Sequence, residues 1–339
     1  MKPRFHLDVT GVCNLACSHC YQDDHVGRPL ALEDVDRILA MFDRMRRHHG
    51  DRGEGFLTLG GGEPTTHPDL AEVIKLAKRY NFTSRLVTNA TLIDLPRAWA
   101  LRRAGLKMVQ VSLDGATRET HEAIRGPRSW DRAIAGISAL RKARMVVILN
   151  AVMIPGHNLG EIPRLLDLSR QLGVWGIKVQ RVVPRGHAAR GLVTRGDFHQ
   201  TLVALLERAV SIRYRRLIML FDPLAHNLPN LYPELTRRLW FLSTDMCHCD
   251  RTELVEVDVD GAISYCRVGQ KLGNVWEDDL IDVWANHPLL GAIRERGPRG
   301  ACGSCAAWSG CRGGCPAVTH GLLQDASAPD LACPAWSEA

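Results

Sequence analysis

The sequence predicts an α/β chain: a partial (β/α)6 TIM-like barrel, followed by a small α+β domain rich in cysteine. Three observations predict it. Short apolar runs alternate with amphipathic helical stretches through the first 185 residues, the rhythm of a parallel sheet with helices outside. That rhythm repeats six times, short of the eight units that close a full barrel, so the barrel should be open. All 11 cysteines fall outside residues 21–246, in one group at the front and one at the back.

The elements follow in order. RFHLDVT (4–10) reads as a strand, and LALEDVDRILAMFDRMRR (30–47) as an amphipathic helix entered through Glu33 and Asp34. GFLTLG (55–60) is the second strand, followed by the helix HPDLAEVIKLAKRY (67–80), with Pro68 near its start. SRLVTN (84–89) leads to a helix over 94–104, and KMVQVSLD (107–114) to helices within 117–142. RMVVILNAVMI (144–154) precedes a helix over 158–172, and WGIKVQRVV (175–183) is the sixth strand. This gives a barrel over 1–185, a bridging helical segment over 186–246 with helices near 195–214 and 233–241, and a cysteine-rich domain over 247–339. Within that domain VEVDVDGAISYC (255–266) alternates like a hairpin turning at Asp260-Gly261, with Cys266 ending its second strand.

Composition narrows the function classes. A chain of 339 residues with 45% apolar and 24% charged residues is that of an ordinary globular protein of about two domains. MKPRFHLDVTG has no apolar signal-like core, and the longest apolar stretch, 145–155, is interrupted by Asn150 and is too short to span a bilayer. No membrane partner and a cytoplasmic location are therefore expected. The net charge of +6 sits in helix-like stretches such as RMRRHHGDR (44–52) and RYRRL (213–217), which read as solvated faces, so no nucleic-acid partner is expected. A reducing compartment disfavours structural disulfides, so the cysteines point to metal.

In such a sheet the loops at the C-terminal ends of the strands carry the chemistry. CNLACSHCY (13–21), GGGEPTTH (60–67), TNAT (88–91) and SLDG (112–115) all lie there. Three thiolates at the spacing C-x3-C-x2-C can hold three irons of a four-iron cluster and leave the fourth open. Zinc would need a fourth ligand, and His19, between two of the cysteines, makes a closed tetrahedron hard to build. Gly60, Gly61 and Gly62 let the backbone approach a ligand, Glu63 can accept from an ammonium, and Pro64 fixes the turn.

Together CNLACSHCY, GGEP at 61–64, TN at 88–89 and SLDG with Arg125 downstream resemble the radical S-adenosylmethionine (SAM) superfamily over roughly the first 185 residues. The resemblance implies a SAM-binding 4Fe-4S cluster on Cys13, Cys17 and Cys20. It implies that Gly61, Gly62 and Glu63 meet the methionine ammonium and that Ser112 and Arg125 meet its carboxylate. Asn89 would lie near the ribose, with Tyr21 and His19 flanking the adenine mostly through their backbone. An electron from an external donor, flavodoxin or ferredoxin, would cleave SAM to a 5′-deoxyadenosyl radical that abstracts a substrate hydrogen.

The spacing Cys249-x11-Gly261-x4-Cys266, then Cys302-x2-Cys305-x5-Cys311-x3-Cys315, then Cys333, resembles the seven-cysteine SPASM domain. That resemblance implies two auxiliary iron-sulfur clusters, with Cys249, Cys266 and Cys315 on the first and Cys302, Cys305, Cys311 and Cys333 on the second. Cys247 has two readings: the missing ligand of the first cluster, or a free thiol that returns a hydrogen atom to substrate. Arg267 stands where sulfatase-maturing relatives carry an acidic base, which argues against formylglycine chemistry and for contact with an anionic substrate. His6, His67 and His121 read as structural, and Trp240, Trp276, Trp284, Trp308 and Trp336 as packing for the C-terminal domain.

The leading functional expectation is an enzyme that matures a ribosomally synthesised peptide by crosslinking, oxidation or epimerisation, helped by a separate leader-peptide-binding protein. No peptide-recognition module is expected ahead of the barrel. The alternative is a small-molecule radical SAM enzyme: a sugar or aminoglycoside epimerase or dehydrogenase, or a tetrapyrrole-modifying enzyme.

Overall fold

A computed structural model of the chain describes residues 3–22, 27–189, 197–244, 253–266 and 269–333. Alternation decides the first strand, β1 (Arg4–Asp8). Phe5 and Leu7 are buried toward the helices, Phe5 stacking on Phe42 at 4.5 Å and meeting Phe82 edge-on at 5.6 Å. His6 and Asp8 turn to the other face, which becomes the concave interior. Helix α1 (Leu32–His48) covers the outside with Val35, Ile38, Leu39, Phe42 and Met45, a single apolar stripe at helical spacing.

Five more strand and helix units repeat the scheme: β2 (Gly55–Gly60) with α2 (Leu70–Arg79), β3 (Phe82–Thr88) with α3 (Leu95–Ala104), and β4 (Met108–Ser112) with α4 (Arg118–Arg125) and α5 (Ser129–Lys142). β5 (Val146–Met153) with α6 (Leu165–Gln171), and β6 (Gly176–Arg181), complete the series. Helix starts follow local chemistry. Asp94 accepts from the Arg97 amide at the head of α3, and Thr117 caps α4 through the Thr120 amide. β5 is buried along nearly its whole length, as befits a central parallel strand.

Residues 186–246, expected to be a helical bridge, also contain strands. After α7 (Asp197–Ser211) come β7 (Leu217–Leu220), the short helices α8 (Leu228–Leu231) and α9 (Pro233–Thr236), and β8 (Leu242–Ser243). β7 pairs parallel with β6 and β8 parallel with β7, so the sheet runs two strands past the predicted six. The four-residue LIML run behind an arginine-rich turn is too short to stand out by periodicity.

The hairpin is present as β9 (Leu254–Val257) and β10 (Ala262–Ser264), joined through Gly261 at a φ of +81°. Cys266 lies two residues beyond β10 instead of ending it. β9 pairs parallel with β1, setting Glu256 beside His6, while β10 and β11 (Lys271–Asn274) continue antiparallel. One open 11-stranded sheet therefore runs β11-β10-β9-β1-β2-β3-β4-β5-β6-β7-β8 and carries both parts of the chain. The last helices are α10 (Leu280–Asn286), α11 (Pro288–Arg294), α12 (Trp308–Cys311) and α13 (Pro316–Leu323). Trp284 is buried in the common core, as expected, but Trp240 is 92% exposed. Among the described residues no helix is long and apolar enough to cross a membrane.

Candidate active site

At the C-terminal ends of β1 to β6 one cavity is lined by Cys13, Cys17, His19, Cys20, Tyr21, Gly61, Gly62, Glu63, Thr88, Asn89, Ser112 and Arg125. Val87, Asn150, Val152, Gln180, Arg181, Val182 and Val183 complete its wall. Two loops are strapped together to make it. The Gly62 amide donates to Thr10 O at 2.8 Å and the Glu63 amide to Val12 O at 2.9 Å. A Cβ on Gly61 would lie 2.2 Å from Thr10 O, and one on Gly62 would lie 2.5 Å from Val12 O. Backbone stands on both sides, so only glycine fits this approach. The cysteine loop is pinned elsewhere by the Ser18 amide on Ile124 O at 3.0 Å and by the His187 amide on Cys20 O at 2.9 Å.

Glu63 is buried, and its carboxylate is largely occupied within the protein. Oε1 accepts from the Thr65 amide at 3.0 Å, Thr65 Oγ1 at 2.5 Å and Thr88 Oγ1 at 2.5 Å, and Oε2 from the Asn89 amide at 2.7 Å. Burial pushes its pKa up and these donors oppose the rise. Its role is first to lock the β2 and β3 loops. Only Oε2 keeps capacity for a further donor. Asn89 is similarly engaged: Nδ2 donates to Asn14 Oδ1 at 2.9 Å, while Oδ1 accepts from the Thr91 amide at 2.9 Å and Thr91 Oγ1 at 2.7 Å. It fastens the cysteine loop to the β3 loop.

Arg125 reaches back from the end of α4. Nε donates to Asp114 Oδ2 at 2.5 Å, and Nη1 approaches Cys17 Sγ at 3.9 Å. Asp114 is fully buried and also accepts from the Val152 amide at 2.8 Å. Burial alone would raise its carboxyl, but Arg125, His19 and that amide hold it below the usual range. His19 Nε2 lies 3.5 Å from Asp114 Oδ2, while Nδ1 is buried with no hydrogen-bond partner. Burial lowers the His19 pKa to about 4, so the ring is neutral. Burial also pushes the Cys13 thiol up to about 11 and raises Cys17, so metal binding there must displace protons.

Asp114, Asn150, Gln180 and Arg181 were not singled out as site residues. Only Asp114 has a sequence signal, as the last residue of the predicted strand 107–114; Asn150, Gln180 and Arg181 lie inside the predicted strands 144–154 and 175–183, where nothing marks a polar residue as facing the cavity. Arg181 joins the cavity to the rest of the chain, its Nε 2.5 Å from Asp222 Oδ2 and its Nη1 donating to Asp330 Oδ1 at 3.0 Å. Beside Gly60, His6, Asp8 and Glu256 form a buried group, with the Tyr21 hydroxyl 3.5 Å from Asp8 Oδ2.

Farther along, Cys302, Cys305, Cys311 and Cys333 line a second, smaller cavity with Gly313 and Asp330. Cys315, adjacent in sequence, faces elsewhere and packs with Ala317 and Val318 against Cys266 and Val183. The chain thus brings four of the C-terminal cysteines together and sends a fifth toward the first cavity's wall. Cys247, Cys249 and Arg267 lie outside the described residues.

The radical SAM superfamily model matches residues 7–169. The mycofactocin maturase MftC of Mycobacterium ulcerans (strain Agy99) is 30% identical over 336 residues, spanning 96% of this chain and 86% of that protein. The chain belongs to the radical SAM superfamily. As a radical SAM enzyme its cofactors are SAM and iron-sulfur clusters. The AdoMet-dependent heme synthase of Methanosarcina barkeri (strain Fusaro / DSM 804) is 26% identical over 336 residues, covering 94% of this radical SAM chain and 93% of the synthase. The fold matches that of Streptococcus suis SuiB, solved with its precursor peptide SuiA, at a TM-score of 0.74 and 20% identity over 98% of this chain and 76% of that one. The residues present suit the cofactors: three thiols on one cavity, a glycine cradle that any Cβ would fill, and the buried cation Arg125 beside Cys17.

Proposed function

We propose that this radical SAM enzyme modifies a ribosomally synthesised peptide, by crosslinking, oxidation or epimerisation. The observation that carries the reading is the full-length similarity to a peptide maturase, which runs through the barrel and the cysteine-rich region alike. When bound, SAM and its 4Fe-4S cluster supply the 5′-deoxyadenosyl radical that abstracts a substrate hydrogen. The chain's own residues do the rest. Cys13, Cys17 and Cys20 would hold that cluster and leave one iron for SAM. The Gly61-Gly62 backbone gives the methionine end close approach, with Glu63 setting the loop and offering Oε2 to the ammonium. Ser112 and Arg125 are offered to the carboxylate, and Asn89 and Tyr21 to the nucleoside side.

Asn150 and Gln180, which also line the cavity, are the polar groups left to orient a substrate, Arg181 beside them being held by Asp222 and Asp330. Cys302, Cys305, Cys311 and Cys333 would hold one auxiliary cluster, and Cys266 and Cys315 with Cys249 part of another. An external flavodoxin or ferredoxin and a separate leader-peptide-binding protein belong to the same reading. So does a cytoplasmic location, where the thiols stay reduced for metal.

A second reading, a small-molecule enzyme acting on a tetrapyrrole, is favoured by the nearly full-length similarity to a heme synthase. One experiment separates them. The reduced, reconstituted protein is given SAM and a synthetic peptide encoded beside its gene, or a porphyrin precursor. A mass change in the peptide that tracks 5′-deoxyadenosine supports the first reading. Uncoupled 5′-deoxyadenosine with peptide and coupled turnover of the tetrapyrrole supports the second.

A further inference from the structure

Arg296 follows α11 and is 5% exposed, yet its guanidinium is held by backbone alone. Nη1 donates to Gly314 O at 3.1 Å, Nε to Ser327 O at 3.1 Å, and Nη2 to Gly313 O at 3.0 Å and to Ala328 O. Two of these carbonyls belong to the turn after Cys311 and two to the segment ahead of Cys333. Among the described residues no carboxylate forms an ion pair with it. Asp330, whose charge reaches it, is already held by Arg181.

A buried cation without a counter-charge is costly, so a negative group is expected close by. The candidates are thiolates. Gly313 lines the cavity of Cys302, Cys305, Cys311 and Cys333, and a Cβ placed on it would lie 3.2 Å from Arg296 Cζ. The guanidinium therefore stands behind a single residue of backbone from the space those four sulfurs enclose.

We propose that Arg296 is the counter-charge of an iron-sulfur cluster held by Cys302, Cys305, Cys311 and Cys333, and that it raises the reduction potential of that cluster. The inference rests on reading these four cysteines as one cluster's ligands. Each added electron makes a thiolate-ligated cluster more negative, and a fixed cation in a poorly screened interior favours the reduced form. Arg296 ligates nothing; it is a positioning and tuning residue.

The test is an anaerobic redox titration, followed by electron paramagnetic resonance, of the whole reconstituted protein and of its Arg296→Gln and Arg296→Lys variants. The expected result is that one couple in R296Q moves at least tenfold toward the oxidised form, about 59 mV for one electron, while the others stay and R296K recovers most of the shift. Loss of iron in R296Q with retention in R296K also supports the proposal, because it shows a requirement for charge. Unchanged couples at native iron content overturn it, as does equal iron loss in both variants, which would mark a purely structural clamp. The underlying assignment is checked separately: if Cys302→Ala/Cys305→Ala binds as much iron as wild type, the cluster reading fails, whatever Arg296 does.

Discussion

Arg181 and Asp330, 149 residues apart in sequence, meet in a buried two-point ion pair at the boundary between the cavity at the strand ends and the cysteine-rich region. Asp330 also accepts from the Cys315 and Ala332 amides, both at 3.0 Å, so one carboxylate positions a strand of the barrel and a cysteine of the C-terminal region together. Asp222, just past β7, shares the same guanidinium.

Replacing Asp330 by Asn should therefore destabilise the protein by about 3–5 kcal/mol, the cost of stranding a buried partner. Asp222→Asn should cost less. Burial pushes the Asp222 carboxyl above its ordinary range, against the pull of Arg181, whereas at Asp330 Arg181 and two amides overcome burial and hold it below. A depressed carboxyl contributes stability above its unfolded pKa that is lost as pH falls; a raised one favours the folded state only toward acid. At neutral pH the ionised Asp330 thus stabilises more than Asp222. Anaerobic denaturant unfolding of both variants measures the order, and D222N costing more than D330N would contradict it.

The glycine cradle gives a second expectation. Gly62→Ala must push a Cβ into Val12 O and Gly11 O, neither of which can yield without moving the cysteine loop. SAM cleavage should fall by more than about tenfold, with iron at the C-terminal cysteines retained. Wild-type cleavage by G62A would show that the loops are not packed as described.

Glu63→Gln exchanges one acceptor oxygen for an NH2 group where all four neighbours donate. The mismatch should cost about 1–3 kcal/mol, whereas Thr88→Val, which removes one donor, should cost about 1 kcal/mol. Thermal unfolding of the two variants reads the difference. Equal costs would mean that Glu63 is protonated and already donating.

Much of this was legible in the sequence because the informative residues are local. The cysteine trio, the glycine run and SLDG each sit at a strand end that periodicity can find, and all line one cavity. What was hidden depends on register across the sheet. Nothing in LVEV says that β9 will pair with β1 and put Glu256 beside His6, and LIML is too short for β7 to announce itself. Arg181 falls inside the predicted sixth strand, and its partners Asp222 and Asp330 lie in segments with no pattern of their own.

Anaerobic reconstitution should give about twelve irons per chain, falling by about four in Cys302→Ala/Cys305→Ala. Iron analysis of the two proteins checks this. Four irons in the wild type, or zinc in place of iron, would remove the auxiliary clusters from the C-terminal region.

The central claim is that Cys13, Cys17 and Cys20 create a site that cleaves SAM. The most direct measurement is 5′-deoxyadenosine formed on anaerobic reduction with SAM, in the wild type and in Cys13→Ala/Cys17→Ala/Cys20→Ala. The wild type should produce it and the triple variant should not, while the variant keeps its C-terminal iron. Production of 5′-deoxyadenosine by the triple variant would contradict the claim.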